Sequence, residues 1–244
     1  MRYSLRQIQS PQPCGYLPDR LQSLEYIIAT SVSAEEYQVL MERGWRHFGH
    51  TLFRPACPGC VRCRTVRVDA ARFAPNRSQR RVIRRNAGEL EPVFSDPECR
   101  DEVLELYDSW HAAQSERKGW PGHFPGDDGQ FHASFVHQPF RVEQWEYHLG
   151  GKLAGVGYVD VLPQALSAIY FFYDEAVRDR SPGIWNVLRM IDEADRRGLP
   201  HVYLGYLVEG NAGMAYKGDF HPAEYRELGK DWMPLPRKAG AGEW

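Results

Sequence analysis

The fold is decided by residues 145–174, which have the sequence WEYHLGGKLAGVGYVDVLPQALSAIYFFYD. The Gly150-Gly151 pair separates two strand-like runs, Trp145–Leu149 and Leu153–Leu162, and this pattern predicts a β-hairpin. A Pro-Gln turn then leads into a third run, Leu166–Asp174, in which aromatic residues alternate across both faces. Three consecutive strands are therefore expected in this stretch.

The residues that follow predict a helix and a fourth strand. Ser181-Pro182 is typical of a helix start, and Gly198 is typical of a helix end. Between them, four residues at helical spacing predict a buried face: Trp185, Leu188, Ile191 and Ala194. With the strand His201–Val208, these elements form an α/β unit, so the expected fold class is α+β or α/β.

The first half of the chain predicts shorter elements. Leu24–Ala29 is strand-like, and Ser33 with Glu36 forms a capping box for a helix that Gly44 ends. Two further strands are predicted at Trp45–Phe53 and Thr65–Asp69.

Three other segments complete the first half. Residues 1–20 contain three prolines and predict irregular structure. Asp96-Pro97 predicts the start of a helix over Pro97–Arg117. Lys118–Gly129 is rich in Gly, Pro and Asp, and a mobile loop is expected there.

Composition and charge narrow the class of protein. The 244 residues are 43% hydrophobic, which is enough for a sizeable core, and the formal net charge is −2. Residues 54–86 nevertheless contain ten Arg against one acid, Asp69, so this segment carries +9 and the rest carries −11. A local basic region on an acidic body predicts a docking face for a polyanion.

The distribution of apolar residues and cysteines predicts a cytoplasmic protein without a membrane anchor. No window approaches the roughly 18 apolar residues of a membrane span, and the first residues lack the apolar core of a signal peptide. Five cysteines, an odd number, favour metal ligation or free thiols over a disulfide framework. No Gly-x-Ser-x-Gly elbow or phosphate-binding loop occurs, which argues against hydrolase and nucleoside-triphosphate chemistry.

The cysteine triplet Cys57, Cys60 and Cys63 is a candidate metal site. Two-residue spacers let successive thiolates converge on one ion, and Cys14 is a candidate fourth ligand. Four thiolates suit zinc or an iron–sulfur cluster, and the spacing does not choose between them. The alternative is a loop of buried or free thiols, which is also the interpretation for Cys99.

An arginine-rich helix follows the cysteines. Asn76 is expected to cap it together with Gln79. At 100° per residue, five arginines fall within an arc of roughly 140°. They are Arg77, Arg80, Arg81, Arg84 and Arg85. Guanidinium groups match phosphate oxygens, so RNA or another polyanion is the favoured partner. The alternative is a solvated face that forms salt bridges with the acidic second half.

Aromatic residues of the second half indicate a pocket. Tyr170 and Tyr173 lie on the third strand, Tyr206 on the fourth, and Tyr216 beyond it. One face of the third strand belongs to the core, and the other is expected to line a pocket near Asp174. Taken alone, Asp174 is more often a cap at a strand end than a catalytic residue.

In order along the chain, these blocks resemble the arginyl-tRNA–protein transferase family, in particular its bacterial branch of aspartate/glutamate leucyltransferases. The resemblance rests on blocks that cover nearly the whole chain: Cys14-Gly15-Tyr16, Phe53–Cys60 with Cys63, Ser78–Val82 with Arg84-Arg85-Asn86, Phe172-Tyr173-Asp174, Leu204-Gly205-Tyr206, and Met214–Gly218 with His221-Pro222. It implies a fold similar to the GNAT acyltransferases, with an N-terminal cysteine-containing region and a basic helix. Eukaryotic relatives carry four cysteines associated with an iron–sulfur cluster, whereas Leu17 stands here where the second of them would be.

The resemblance also implies a domain organisation. Residues 1–92 would form an N-terminal domain with the cysteine loop and the arginine helix, and residues 93–140 a helical connector. Residues 141–236 would form a GNAT-like catalytic domain, and residues 237–244 a flexible tail.

The activity implied by the resemblance is transfer of leucine from leucyl-tRNA to the N-terminal α-amine of proteins that begin with Asp or Glu, within the N-degron degradation pathway. The donor is an activated ester, so no cofactor is required for the chemistry. Asp174, Tyr206 and Lys217 are the expected catalytic residues, with Asp174 on the α-amine and Lys217 opposite developing negative charge.

Substrate contacts are expected from four other residues. Tyr170, Tyr173 and Tyr216 would line the aminoacyl pocket together with Tyr206, and Arg54 would pair with the acidic side chain of the acceptor. The arginine helix would hold the tRNA. Two alternatives stay open: transfer of arginine, with Asp174 or Glu175 as guanidinium partner, and a non-catalytic, metal-dependent RNA-binding module.

Overall fold

The computed structural model describes residues 1–120 and 124–237, and it has a mixed α/β architecture with a large mixed sheet. The strands, in chain order, are β1 (Arg2–Ile8), β2 (Gln12–Pro13), β3 (Leu21–Gln22), β4 (Leu24–Ser31), β5 (Arg46–Phe48), β6 (Thr51–Pro55), β7 (Cys63–Asp69), β8 (Pro92–Ser95), β9 (Val142–Leu149), β10 (Lys152–Leu162), β11 (Ala165–Tyr173), β12 (His201–Val208), β13 (Ala223–Arg226) and β14 (Met233–Pro234). The α-helices are α1 (Ala34–Glu42), α2 (Arg77–Asn86), α3 (Asp101–Lys118), α4 (Asp128–Phe131) and α5 (Pro182–Arg196). A π-helix spans His132–Val136, and 3₁₀ helices span Glu175–Arg180 and Ala215–Asp219.

Within the described residues, the large sheet has eight strands in the order β14-β13-β7-β12-β11-β10-β9-β8. Its neighbouring strands are antiparallel except for β11 with β12, which are parallel and are joined by the crossover helix α5. Strands β8 to β11 form consecutive antiparallel neighbours, and β7 from the first half of the chain pairs with β12. The N-terminal and C-terminal halves are therefore joined within one sheet.

A second sheet of four strands, in the order β1-β4-β6-β5, packs beside the first. Leu52 of this sheet and Tyr37 of α1 share a buried cluster with Leu162 and Tyr203 of the large sheet. Two other apolar clusters lie against the large sheet. One is centred on Trp145 and Trp185 below α5, and the other lies beneath α3. Burial of this apolar surface is the main stabilising contribution to the fold.

Several predicted elements are confirmed. The hairpin runs from β9 to β10 through Gly150-Gly151, and α5 carries Trp185, Leu188, Ile191 and Ala194 on its buried face. The capping box of Ser33 and Glu36 is present at α1. The one formed by Asn76 and Gln79 is present at α2. These elements are predictable because their turn residues, helix caps and apolar spacing lie within a few residues of one another in the sequence.

The prediction of one strand over Trp45–Phe53 is wrong, because the chain reverses at Gly49-His50 and forms two strands, β5 and β6. Gly49 has φ +51°, and a Cβ placed on it would come within 1.9 Å of the Ala133 carbonyl oxygen. Glycine is required there because the π-helix packs directly on the turn.

Two further predictions are corrected. The helix predicted from Pro97 starts later, at Asp101. The Glu98 amide donates to Gln144 Oε1 at 3.0 Å, and this bond holds residues 96–100 beside β9 outside the helix. Residues 1–20 are not irregular throughout, because β1 pairs antiparallel with β4. All residues of β1 are exposed, so no alternating apolar pattern reveals the strand.

Two expectations fall partly or wholly outside the described residues. Residues 121–123 interrupt the loop that was expected over Lys118–Gly129, and residues 238–244 make up nearly all of the expected tail. Within the described ranges, no helix combines the length and the apolar character needed to cross a membrane.

Candidate active site

The candidate site lies where strands β11 and β12 separate. Among the described residues they pair only from Ala165 opposite His201 to Ser167 opposite Tyr203. Both strands continue beyond that point, to Tyr173 and Val208, without pairing to each other. The register of β12 with β7 also shifts between Tyr203 and Tyr206. Parallel strands that part in this way open a cleft at their carboxyl ends, which is where α/β folds place ligands.

Tyr170 and Tyr206 stand on the two sides of this cleft. Each lies three residues beyond the last paired position of its strand, so the two residues are level along the strand direction. Burial raises the pKa of both phenols, and Tyr16 from the N-terminal segment lies close enough to raise each of them further. Asn211 donates from its side-chain amide to the carbonyl oxygen of Tyr16 at 2.8 Å, which ties this segment to the loop after β12.

Lys217 contacts the backbone of β12 inside the cleft. Its Nζ donates to the Tyr206 carbonyl oxygen at 3.0 Å, and the Tyr206 hydroxyl donates to the Gly44 carbonyl oxygen at 2.6 Å. Burial, reinforced by the neighbouring Arg46 charge, lowers the pKa of Lys217 to about 7. Such a lysine exchanges its proton near neutral pH, a property useful in acyl transfer.

Arg46 of β5 lies behind Tyr206. Its side chain is buried, and Nη1 donates to the carbonyl oxygens of Met41 (3.2 Å) and Trp45 (2.5 Å). The guanidinium carbon is 5.2 Å from the centroid of the Tyr206 ring. Its Nε and Nη2 are also buried, and they have no acceptor among the described residues.

Aromatic side chains cover the β11 side of the cleft. The Tyr170 hydroxyl is 3.1 Å from His111 Nε2, and the Tyr173 ring lies 4.3 Å from that of Trp110, centroid to centroid. Tyr170 also contacts the rings of Tyr107, Phe135 and Phe48. Tyr216 lies apart on the 3₁₀ helix and is 36% exposed.

The four candidate metal ligands are close in space. Burial raises the pKa of the Cys63 thiol to about 12, and the neighbouring Cys57, Cys14 and Cys60 add to the shift. Cys57, Cys60 and Cys63 line a cavity of about 180 Å³ that also touches Gly44. However, Cys57 forms hydrogen bonds with the Ser23 backbone. Across the described residues, no three His, Cys, Asp or Glu side chains are grouped closely enough to hold a metal ion. Four thiolates would suit a soft metal ion, but in the structure the four cysteines are free thiols that are not grouped around one point.

Asp174 and Arg54 are placed differently from Tyr206 and Lys217. Asp174 is exposed, and its Oδ1 accepts from the Ala176 amide at 2.9 Å, so the carboxylate caps the 3₁₀ helix. Arg54 donates from Nε to Glu25 Oε2 at 2.7 Å, and the same carboxylate also binds Arg6. The Arg54 guanidinium is therefore already paired with an internal acid.

The arginine helix α2 projects its five predicted arginines into solvent, and all five are exposed. On the other side of the helix, Val82 and Ile83 pack against the apolar core. Two buried polar residues also hold this side: the Gln79 side chain donates to the Asp219 carbonyl oxygen at 3.1 Å, and the Asn86 side chain donates to the Arg180 carbonyl oxygen at 2.9 Å. Arg85 forms an ion pair with Asp179 at 3.5 Å. Arg77, Arg81 and Arg84 form no ion pair with any described residue. The helix therefore combines one internally paired arginine with several that are available to a polyanion.

The sequence did not identify Arg46 or His111 as site residues. Arg46 falls inside a segment that looked like one continuous strand, and its burial depends on the turn at Gly49 that divides the segment. His111 lies mid-helix at no recognisable spacing. Tyr16 belongs to a block that carried the family resemblance, but no local pattern connects it to Tyr170.

Comparisons with known proteins identify the family of the chain. Residues 102–227 match the family model "Arginine-tRNA-protein transferase, C terminus", and residues 12–81 match the corresponding N-terminus model. The chain is 33% identical over 227 residues to an aspartate/glutamate leucyltransferase of Pseudoalteromonas atlantica, covering 93% of this chain and 95% of the relative. A relative of the same name from Stenotrophomonas maltophilia is 37% identical, covering 90% and 88%.

Among solved structures, FemX aligns with a TM-score of 0.50 at 9% identity and covers 88% of this chain and 84% of its own, which is a likeness of fold. The family matches define the class of the protein as a tRNA-dependent aminoacyltransferase. The chain belongs to the arginine-tRNA-protein transferase family.

Proposed function

We propose that the protein transfers leucine from leucyl-tRNA to the α-amine of proteins whose N-terminal residue is Asp or Glu. The names of the relatives, aspartate/glutamate leucyltransferases, support this activity. The observation that carries it is the parting of β11 and β12, with aromatic residues around Tyr170 on one strand and with Arg46 and Lys217 beside Tyr206 on the other.

Leucine is favoured over arginine because the aminoacyl side of the cleft offers apolar surface. Tyr170 packs among Phe48, Tyr107 and Phe135, and such walls suit a branched aliphatic side chain. A guanidinium substrate would instead require a free carboxylate. Asp174 caps the 3₁₀ helix, and Glu175 pairs with Arg117 at 2.9 Å. Each of these two acids already has one protein partner, and the apolar wall around Tyr170 is the observation that favours leucine.

The reaction requires little chemical activation. The neutral α-amine attacks the ester carbonyl of leucyl-tRNA, a C–N bond forms, the C–O bond to the ribose breaks, and the amine proton passes to the departing ribose oxygen. We propose that Lys217, whose pKa is about 7, offsets charge on the tetrahedral oxygen or relays that proton. Tyr206 positions Lys217 through its carbonyl oxygen.

Asp174 is proposed to bind the incoming α-amine while it caps the 3₁₀ helix. A carboxylate can accept more than one hydrogen bond, so the two roles are compatible. Tyr173 and Tyr216 are proposed to complete the aminoacyl pocket from its two ends.

The arginine helix is proposed to hold the tRNA. Arg77, Arg80, Arg81 and Arg84 offer exposed guanidinium groups on one helix, and guanidinium groups bind phosphate oxygens well. The other arginines of residues 54–86 contribute less to this surface, because six of the ten form ion pairs with acids: Arg54, Arg62, Arg64, Arg67, Arg72 and Arg85.

We further propose a GNAT-like arrangement of β10, β11, α5 and β12, with residues 141–236 as the catalytic domain, residues 1–92 as the N-terminal domain and residues 93–140 as the connector. The parting of two parallel strands at the substrate cleft supports this assignment. The five cysteines are free thiols, which fits a reducing, cytoplasmic location. The four clustered thiols would be the ligands of zinc or an iron–sulfur cluster if one is bound, and such a group would brace the loop beside Gly44.

A transfer assay tests the proposal. The protein is incubated with radiolabelled leucyl-tRNA or arginyl-tRNA and with peptides that differ only in an N-terminal Asp, Glu, Asn or Ala. Incorporation of leucine into the Asp and Glu peptides is expected, with much less from arginyl-tRNA. Transfer from arginyl-tRNA alone would establish the alternative donor, and no transfer from either tRNA would favour an RNA-binding module.

A further inference from the structure

Arg46 carries a buried positive charge that no acid of the described chain neutralises. Its residue exposure is 7%, and its Nε and Nη2 are buried without an acceptor, while Nη1 alone is satisfied by backbone carbonyl oxygens. A buried donor without a partner costs about 1–3 kcal/mol, and more when it is charged. Such a group is found where an ordered water, an ion or a ligand supplies the missing acceptor.

Lys217 faces the same point from the other side. A Cβ placed on Gly205 would lie 3.6 Å from Lys217 Nζ and 4.0 Å from Arg46 Nε, so both cations border the backbone of this glycine. Gly205 has φ +75° and stands between Tyr203 and Tyr206, where β12 shifts its register with β7. The two basic side chains, Arg46 and Lys217, therefore approach β12 at Gly205, where no side chain stands between them and the backbone.

The acids in this part of the fold are committed elsewhere. Asp160 binds His47 at 2.7 Å, and Glu25 is shared by Arg54 and Arg6. Within the described residues, Arg46 therefore forms no ion pair, and Lys217 adds a second positive charge whenever it is protonated.

We propose that Arg46 and Lys217 bind the side-chain carboxylate of the N-terminal Asp or Glu of the acceptor protein. This inference rests on the proposed function. A carboxylate can accept from Arg46 Nε and Nη2 together, which is the paired geometry that guanidinium groups favour. Arg46 takes the role that the sequence suggested for Arg54, whose guanidinium is held by Glu25.

The position of the pair fits this occupant. In an N-terminal Asp or Glu, the side-chain carboxylate lies only a few bonds from the α-amine that attacks the ester. Arg46 lies against the Tyr206 ring, and Tyr206 is level with Tyr170 across the cleft. A carboxylate on Arg46 would therefore direct the adjacent amine towards the aminoacyl pocket. An Asn or Gln side chain would present NH₂ groups to two cations and leave them unneutralised, so the site also explains discrimination against amides.

The test is the ratio of kcat/KM for peptides that begin with Asp and with Asn, measured in the full-length protein with leucyl-tRNA as donor. We expect the wild type to prefer Asp by at least about 100-fold, since a buried polar site rejects an unmatched analogue strongly. Arg46→Met should reduce this ratio to under about tenfold while changing the KM for leucyl-tRNA by less than about threefold. Lys217→Met should lower the ratio in the same direction.

Two comparisons separate specificity from folding. Arg46→Lys keeps the positive charge but loses the paired N–H donors of the guanidinium. We expect a ratio of kcat/KM for Asp over Asn between those of the wild type and Arg46→Met. Arg196→Gln removes an exposed arginine at the end of α5 and should leave the ratio unchanged. Thermal unfolding of each variant identifies any that fails to fold.

A measurement on the wild type alone covers the case in which the Arg46 variants do not fold. Succinate has the carboxylate of Asp without the amine, and it should inhibit competitively against the acceptor peptide and not against leucyl-tRNA, whereas succinamide, which has no carboxylate, should inhibit at least about tenfold more weakly. Equal inhibition by both compounds, or competition with leucyl-tRNA, would overturn the inference, as would an Arg46→Met protein that keeps the wild-type ratio. A wild type that transfers no leucine to any peptide would instead remove the proposed function itself.

Discussion

Asp160 of β10 accepts a hydrogen bond from His47 Nε2 of β5 at 2.7 Å, and this pair joins the four-stranded sheet to the eight-stranded sheet. The other ring nitrogen, Nδ1, donates to the Gly49 carbonyl oxygen at 2.9 Å. Since both nitrogens face acceptors, the arrangement requires a doubly protonated, charged imidazole. The side chains of the pair are almost completely buried.

The charge of His47 predicts a pH-dependent stability. Burial opposes the charge, but the Asp160 carboxylate and the Gly49 carbonyl outweigh it and raise the pKa above its usual value, although Arg46 of the same strand acts in the opposite direction. A raised folded-state pKa contributes stability that is fully present below about 6.5 and is lost as pH rises through the folded-state value. We expect the unfolding free energy of the wild type to fall over that window relative to His47→Gln. Parallel curves of denaturant midpoint against pH for the two proteins would contradict the prediction.

The turn at Gly49 predicts a large effect of one methyl group. In Gly49→Ala, the new Cβ would meet the Ala133 carbonyl oxygen at 1.9 Å, and the positive φ adds strain. Gly150→Ala is the matched control, since Gly150 has φ +59° but nothing within 4 Å of its Cβ. We expect the control to lose about 1–2 kcal/mol and Gly49→Ala to lose at least about 2 kcal/mol more. Chemical denaturation measures both, and equal losses would show that the π-helix does not constrain the turn.

Asp174 can be tested for two roles at once. Its Oδ1 caps the 3₁₀ helix through the Ala176 amide. Asn caps about as well as Asp, whereas Ala does not, so Asp174→Asn should keep the unfolding free energy and Asp174→Ala should lose about 1 kcal/mol. The transfer rate of the Asn variant then isolates the carboxylate. Full activity in that stable protein would eliminate the proposed contact with the α-amine.

The arginine helix predicts a graded dependence of tRNA binding on salt. Replacing Arg77, Arg81 and Arg84 with Gln should weaken tRNA binding and reduce the slope of log K against log salt by about one unit for each phosphate that is no longer neutralised. Arg85→Gln should change the slope less, because Arg85 is paired with Asp179. Filter binding at several salt concentrations measures these slopes. Identical slopes in the triple variant and the wild type would exclude docking on this face.

The comparison between sequence and structure separates local from long-range information. The hairpin at Gly150-Gly151, the caps at Ser33 and Asn76, and the buried face of α5 depend on residues a few positions apart, and they were predictable. Strand β1 was not, because its exposed side chains have no apolar alternation and only its pairing with β4 defines it.

The candidate site shows the same division. Tyr206 and Lys217 were identified with the help of the family resemblance, and they do contact each other. Arg46 could not have been selected, since an arginine within an apparent strand gives no sign that its charge is buried and unmatched. The burial of Arg46 depends on its neighbours in the folded chain. Its guanidinium contacts the backbone of Met41 and Trp45 and the ring of Tyr206, which belongs to the other half of the chain.

The attachment of Tyr16 to Asn211 has a practical consequence for how the protein can be altered. Besides burial, Tyr16 contributes to the raised pKa of both Tyr170 and Tyr206, so we expect this residue near the start of the sequence to contribute to the proposed cleft. Deleting the first twenty residues would remove Tyr16 together with β1 and Cys14, and with them the contact to Asn211. We therefore expect affinity tags to be better tolerated after the last strand than immediately before Cys14, and activity lost on N-terminal trimming would reflect damage to the cleft.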